Sequence, residues 1–390
     1  MSDTSARLQR ILSLDDLEGA ARRFLPRPLF GYVSGAAETG SSLRGNRAAF
    51  DEWSFVPRVL NDVSKRSTAT TLLGTRYSAP FGIAPMGISA LIAYRGDLVL
   101  AEAARDMNVP MIVSGSSLTR MEEIAAVYPG AWFQAYVPGE PARIEALVAR
   151  VAAAGFKTLV VTVDVSVSAN RETNIRTGFS TPLRPSLRLA CDGLMRPHWT
   201  FGTFLRTLAH GIPHFENTQA TRGAPIIARN VMRDFGARDH LSWTHLGQIR
   251  RLWSGRLVVK GILDARDAAL AAEHGADGII VSNHGGRQLD GAVAPLRAVE
   301  AVARHAGGMA VMLDGGIRRG SDVLKALALG AQFVFVGRPL LYAAAIGGTP
   351  GVRHALDLLQ QETLRNLGLT GLTALEDVSR DMLVSTKAPQ

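Results

Sequence analysis

The run Ser282-Asn283-His284-Gly285-Gly286-Arg287 places an imidazole three residues before a guanidinium, directly after a short apolar stretch. Imidazole is the side chain best matched to proton abstraction near neutral pH. A guanidinium can hold a carboxylate through two parallel hydrogen bonds. His284 is therefore a candidate base and Arg287 a candidate substrate clamp. A lone histidine is more often structural, but this one stands between an apolar run and a Gly-Gly turn. Asp164, at the end of another apolar run, is suited to orient the imidazole and stabilise its cation. Lys260 ends a third run. It suits charge stabilisation of a cofactor or Schiff-base chemistry, and residue physics alone leaves both open.

Polar groups follow other apolar runs in the same way. Pro85-Met86-Gly87 follows one, Ser114 ends another, Gln134 and Tyr136 follow a third, and Thr162 precedes Asp164. Asp314-Gly315-Gly316-Ile317-Arg318 and Gly337-Arg338 follow the last two. Glycines at such positions expose backbone N–H groups, and arginines neutralise an anion. Either segment alone reads as a turn. Together they read as a phosphate site.

The elements that must position these groups are short strands alternating with amphipathic helices. Strands are expected at 81–84, 111–114, 131–135, 158–163, 257–259, 278–281, 310–313 and 333–336, each apolar enough to be buried on both faces. Helices are expected at 96–106, 141–154, 265–274 and 321–329. Eight such units predict an α/β fold of the (β/α)8 TIM-barrel class, which carries chemistry at the C-terminal ends of its strands. A doubly wound open sheet is the alternative. Residues 1–77 precede the barrel as a cover, with a helix over 13–23 capped by Ser13 and loops beyond it. Residues 176–240 form a long insertion between the fourth and fifth strands, the whole chain 1–390 being one domain.

Composition bounds the function. The chain has 390 residues, 47% of them apolar and 20% charged, with a formal charge of +9. No run approaches the ~18 apolar residues of a membrane-spanning helix. The start carries Asp3 and no apolar core of a signal peptide, so a cytoplasmic location is expected. A single cysteine, Cys191, excludes an intrachain disulfide framework. The basic excess is concentrated in the insertion, in Arg176, Arg184, Arg188, Arg196, Arg206, Arg222, Arg229, Arg233 and Arg238 against Asp192, Glu216, Asp234 and Asp239. With no recognised binding motif, nucleic acid is not an expected partner.

SNHGGRQLD (282–290) resembles the active-site signature of the FMN-dependent 2-hydroxy acid dehydrogenase/oxidase family. LPRPLFGYVSGAAE (25–38), IAPMG (83–87), WFQAYV (132–137), TVD (162–164), VVKG (258–261), LDGGIRRGSDVLKALALGA (313–331) and VGRP (336–339) extend the resemblance over roughly residues 10–380. DGLMRPHW (192–199) is most similar to members that oxidise mandelate. The resemblance implies FMN and oxidation of an (S)-2-hydroxy acid to the 2-oxo acid. It implies that Pro85, Met86, Gly87, Ser114, Gln134, Thr162 and Lys260 surround the flavin ring, with Lys260 near N1/O2. Asp314 would bond the ribityl chain, and Gly316, Arg318, Gly337 and Arg338 would hold the phosphate. Tyr32, Arg171 and Arg287 would clamp the substrate carboxylate, Tyr136 would contact the hydroxyl side, and His284 would be the base with Asp164 as partner. Hydride transfer and a carbanion route both fit these residues. A homotetramer and reoxidation by a quinone or oxygen are implied as well.

The chain departs from the commonest family patterns. Met86 stands where Thr is frequent, and Gly87 replaces the Ala of many oxidases. Ser116 and Ser168 lie where glycolate-oxidising members carry bulkier side chains, which favours a large or aromatic substrate such as mandelate. An aliphatic acid such as lactate, oxidised with oxygen, is the alternative. A flavin-free phosphate-binding isomerase or aldolase using Lys260, an FMN barrel of the isomerase type and a non-catalytic anion-binding protein are the rivals. The insertion combines its arginines with Leu187, Leu189, Leu194, Met195, Trp199, Phe201, Phe204, Leu205 and Leu208. It reads as a lid over the pocket, or as a peripheral contact with the inner face of the plasma membrane.

Overall fold

The computed structural model describes residues 7–180, 184, 186–228 and 238–386. Arg229, Arg233 and Asp234 of the insertion lie outside the described residues. Eight parallel strands form the centre: β1 (Phe81–Ile83), β2 (Ile112–Ser114), β3 (Trp132–Ala135), β4 (Thr158–Thr162), β5 (Arg256–Ile262), β6 (Gly278–Val281), β7 (Ala310–Asp314) and β8 (Phe333–Val336). They pair in the order β1-β8-β7-β6-β5-β4-β3-β2. A parallel bridge between Ile83 and Met111 joins the two ends. The ring is a TIM barrel, and its circular order excludes the doubly wound sheet.

Each strand alternates between two packing environments. Ile112, Trp132, Val160, Val258, Ile280, Met312, Phe333 and Phe335 fill the barrel interior. Their neighbours Val113, Phe133, Leu159, Val161, Leu257, Val259, Ile279, Val281, Val311, Leu313, Val334 and Val336 belong to the outer core beneath the helices. Side chains of a strand alternate with period two. Two residues beyond the interior layer, the same inward direction therefore falls on Ser114, Gln134, Thr162, Lys260, Ser282 and Asp314, all buried. Strand geometry alone converts an apolar plug into a polar floor at the C-terminal end.

The opposite end is closed by an antiparallel hairpin, Thr70–Leu72 with Thr75–Tyr77. Leu72 and Tyr77 join the interior cluster, with Tyr77 and Phe333 ring centroids 5.9 Å apart. The cover is more ordered than the loops expected. It holds helices Asp16–Phe24, Arg27–Ser34 and Ser41–Asp51, and Trp53–Phe55 pairs with Leu383–Ser385 near the other end of the chain. Ser13 is not the cap of the first helix. The Asp16 carboxylate folds back to accept from the Leu12 N–H and from the Ser13 N–H and hydroxyl.

Helix Glu172–Thr177 leads into the insertion, which is partly helical, with Leu187–Leu194, Pro197–Trp199, a π-helical turn Thr200–Phe204, and Leu205–Leu208. Trp199, expected among its exposed apolar residues, is buried, because its indole N–H donates to the Leu91 carbonyl at 2.9 Å and its ring stacks on Phe204. Leu187, Leu194, Met195, Phe201, Phe204, Leu205 and Leu208 are exposed. The returning segment of the insertion is tied to the barrel. Arg150 donates to the carbonyls of Glu216 and Gln219, and Asn217 bonds the Met121 N–H and the Thr119 carbonyl.

Candidate active site

The polar floor opens into a cavity of about 750 Å³ at the C-terminal ends of the strands. Its walls carry Tyr32, Pro85, Met86, Gly87, Ser116, Tyr136, Thr162, Ser168 and Arg171 from the first half of the chain. Lys260, His284, Arg287, Asp314, Gly316, Arg318, Gly337 and Arg338 complete them. Three expected site residues lie off this wall. Ser114 and Gln134 sit in the layer beside it, where Gln134 Oε1 accepts from the Gly115 N–H, and Asp164 stands behind His284.

His284 Nδ1 and Asp164 Oδ1 are 2.9 Å apart. The imidazole is presented by backbone in the left-handed region, with φ +56° at His284, followed by Gly285 and Gly286 at +65° and +74°. A non-glycine residue there carries strain of order 1–2 kcal/mol. It is held by the Ser282 hydroxyl, which accepts from the His284 N–H, and by the Asn283 carboxamide, which accepts from the Gly286 N–H. Burial pushes the imidazole pKa below the ordinary histidine value, with the Asp164 carboxylate opposing. Burial pushes Asp164 upward, but His284 and Lys260 outweigh it and hold the carboxyl below its ordinary value. The pair at neutral pH is a neutral imidazole facing a carboxylate, which is a base ready to accept a proton.

A bulge in β5 makes room for that carboxylate. Pairing with β6 shifts between Lys260 and Ile262, around Gly261 at φ +111°. A Cβ on Gly261 would lie 2.7 Å from the Asp164 Cβ, so glycine is required on both counts. Lys260 Nζ donates to Asp314 Oδ2 at 2.9 Å and to the Ser282 hydroxyl at 2.8 Å. Burial pulls the ammonium down, but Asp314 and Asp164 more than restore it, leaving its pKa raised. A fixed cation at the cavity floor is the result, and a raised pKa opposes the neutral amine that Schiff-base chemistry needs.

Two arginines flank the base. Arg287 Nη1 donates to the carbonyls of Tyr32 and Gly35, and its guanidinium lies 5.0 Å from the Tyr32 ring centre. Arg171 Nε donates to the Arg287 carbonyl and Nη2 to Gln288 Oε1. Burial, with Arg171 adding repulsion, draws the Arg287 pKa down to about 10. Arg338 donates to the carbonyls of Val33, Gly35 and Gly285, sharing the Gly35 acceptor with Arg287. Burial and then Arg287 lower its pKa to about 9. Burial also lowers Arg318, beside Gly316. Carbonyls thus hold these side chains in place while the cavity concentrates positive charge.

Asn174 and Arg238 are among the wall residues that sequence reasoning missed. Asn174 has a buried Oδ1 with no partner among the described residues. Arg238 stands over the Tyr136 ring, 4.8 Å from its centre. It was only one of nine arginines in the insertion, with no local pattern to single it out. Gly87 and Ser116 share a wall of small residues, since a Cβ on Gly87 would fall 2.9 Å from the Ser116 Cβ.

Comparison with known proteins identifies the family. The profile of the FMN-dependent dehydrogenase family matches residues 21–385. The chain is 36% identical to (S)-mandelate dehydrogenase of Pseudomonas putida over 377 residues, covering 96% of this chain and 94% of that protein. It is 38% identical to L-lactate dehydrogenase of Caulobacter sp. (strain K31) over 385 residues, covering 96% and 99%. The crystal structure of the monotopic membrane protein (S)-mandelate dehydrogenase superposes with a TM-score of 0.90 at 35% identity, covering 96% and 99%. Mandelate oxidase with benzoyl-formic acid superposes with a TM-score of 0.79 at 35% identity, covering 97% and 100%. With a barrel of that shape and a family match over nearly its whole length, the chain belongs to the FMN-dependent 2-hydroxy acid dehydrogenase family.

Proposed function

We propose that this enzyme oxidises an (S)-2-hydroxy acid with a bulky, aromatic side chain, of the mandelate type, to the 2-oxo acid. The observation that carries the substrate reading is the small wall formed by Gly87 and Ser116 beside the His284–Asp164 pair. Ser168, exposed on the same cavity, adds no bulk.

The residues fit FMN. Thr162 Oγ1 and Asp314 Oδ1 on the wall, and Gln134 Nε2 beside it, are buried without a partner among the described residues. A buried orphan costs about 1–3 kcal/mol, and the polar edge of a flavin with its ribityl chain supplies what these atoms lack. Pro85, Met86, Gly87, Ser114, Gln134, Thr162 and Lys260 would hold the ring, Asp314 the ribityl chain, and Gly316, Arg318, Gly337 and Arg338 the phosphate. Bound FMN supplies an acceptor for the substrate's two electrons.

The chain's own residues do the rest. Arg171 and Arg287 fix the substrate carboxylate, with Tyr32 beneath Arg287. Tyr136 contacts the hydroxyl side. His284 takes the proton at its Nε2, because Nδ1 is committed to Asp164. Asp164 stabilises the resulting imidazolium, and Lys260 stabilises negative charge at the cavity floor. Reoxidation by a membrane quinone goes with the exposed apolar face of the insertion and with the monotopic relative, and favours a dehydrogenase over an oxidase. The enzyme would then sit on the inner face of the plasma membrane. Among the described residues, no helix is long and apolar enough to cross it.

The test is a comparison of kcat/KM for (S)-mandelate, (S)-lactate and glycolate with an artificial electron acceptor. Mandelate should lead, and Ser116→Trp should suppress mandelate more than lactate. A preference for lactate or glycolate in the unmodified enzyme contradicts the aromatic reading and leaves the aliphatic one.

A further inference from the structure

The returning segment of the insertion goes inward where a long connection ordinarily keeps to the surface. Phe215, Glu216, Asn217 and Thr218 are each no more than 6% exposed. Backbone polar groups buried in this way need partners, and a short hairpin supplies some of them. His214 and Pro225 form an antiparallel bridge. The Phe215 N–H donates to the Ala224 carbonyl at 3.1 Å, and the Gly223 N–H donates to the Phe215 carbonyl at 2.9 Å. A Cβ on Gly223 would lie 2.5 Å from that carbonyl oxygen, so the returning arm needs glycine at this point.

The hairpin is fastened to the segment that follows β2. The Glu216 N–H donates to the Ser117 carbonyl at 3.2 Å. The Asn217 carboxamide accepts from the Met121 N–H and donates to the Thr119 carbonyl. That segment begins beside Ser116, which with Gly87 forms the small wall of the active-site cavity. Phe215 and Ser116 both line the cavity, and the hydrogen bond between their chain neighbours holds them side by side. Phe215 also belongs to the outer hydrophobic core. Its ring is therefore held in place by protein while part of it faces the cavity.

We propose that Phe215 determines substrate specificity by setting the depth of the pocket that receives the side chain of the 2-hydroxy acid. This rests on the reading of the site as a 2-hydroxy acid oxidation centre, and it names what limits the side chain. Gly87 and Ser116 leave room for one ring, and the Phe215 ring excludes a second one fused to it. A wall rejects the larger substrate by steric clash only if it does not yield. The bonds of Glu216 and Asn217 to the segment after β2 give the hairpin that stiffness.

The experiment uses the FMN-loaded full chain and three acids of increasing bulk, (S)-lactate, (S)-mandelate and (S)-2-naphthylglycolate. In the unmodified enzyme kcat/KM for mandelate should exceed that for the naphthyl acid by about tenfold or more. Phe215→Ala should shift that ratio toward the naphthyl acid by about tenfold or more. Phe215→Trp should suppress mandelate, and lactate, too small to reach the ring, should be spared in both variants. Removing a core ring costs stability, so Phe215→Trp carries the test where Phe215→Ala does not fold. An unmodified enzyme that turns over the naphthyl acid as well as mandelate overturns the proposal. So does an unchanged ratio in folded Phe215→Ala, or mandelate spared in folded Phe215→Trp. An equal loss on all three acids also overturns it, marking a role confined to packing. Failure of all three acids to reduce the flavin of the unmodified protein overturns the reading of the site itself.

Discussion

The chemistry of the site turns on how one carboxylate and one imidazole share a proton. Burial lowers the His284 pKa and Asp164 raises it, with burial prevailing. The base is lost when the imidazole is protonated, so kcat/KM should fall as pH falls through a pKa below the ordinary histidine value. Asp164→Asn removes the opposing carboxylate. The acid limb should then move to lower pH while kcat falls, because nothing stabilises the imidazolium. A pH–rate profile for the two proteins checks this, and an unmoved acid limb contradicts the assignment. His284 and Arg287 were legible in the sequence, because a histidine between a strand and a Gly-Gly turn has few structural uses. The support of Arg287 was not, since it bonds carbonyls of Tyr32 and Gly35 some 250 positions away in the chain. Arg238 escaped for a similar reason: its proximity to Tyr136 is a product of the folded insertion.

Elements decide which residues of each strand reach the site. The barrel strands were legible from their apolar runs, and the inward period-two alternation carries Val258 to Lys260 and Met312 to Asp314. The cover was less legible. Its helices Arg27–Ser34 and Ser41–Asp51 contain a proline, two glycines and polar residues that dilute any periodic signal. They are stabilised by tertiary bonds instead. Asp290, at the end of the His284 loop, accepts from Thr39, Ser41 and Ser42 at the start of the second of these helices. Strand ends β7 and β8 carry Gly316, Arg318, Gly337 and Arg338, the residues proposed to hold the phosphate. Arg318→Ala combined with Arg338→Ala should release FMN, seen as loss of flavin absorbance after gel filtration. The Arg338 change also removes two bonds to the cover and one to Gly285, so circular dichroism should accompany it. Full retention of flavin in a folded double variant contradicts the phosphate assignment.

At the scale of the whole molecule, the insertion presents Leu187, Leu194, Met195, Phe201 and Phe204 to solvent, with Arg196 and Arg206 nearby in sequence. Exposed apolar and cationic groups together suit an anionic membrane surface. The protein should sediment with anionic vesicles, less so at high salt, and should cease to do so when residues 185–210 are replaced by a short linker. No sedimentation at low salt would confine the insertion to covering the pocket. The barrel, the cavity and the family membership all bear on one claim, that His284 removes a proton from a 2-hydroxy acid held against FMN. An anaerobic titration with (S)-mandelate, followed in the visible spectrum, tests it most directly. The wild-type protein should be yellow and bleach. His284→Ala should be equally yellow and bleach slower by about 10²–10⁴-fold, the usual worth of a general base. Colourless protein that FMN cannot reconstitute, or a variant that bleaches at the wild-type rate, would contradict the account.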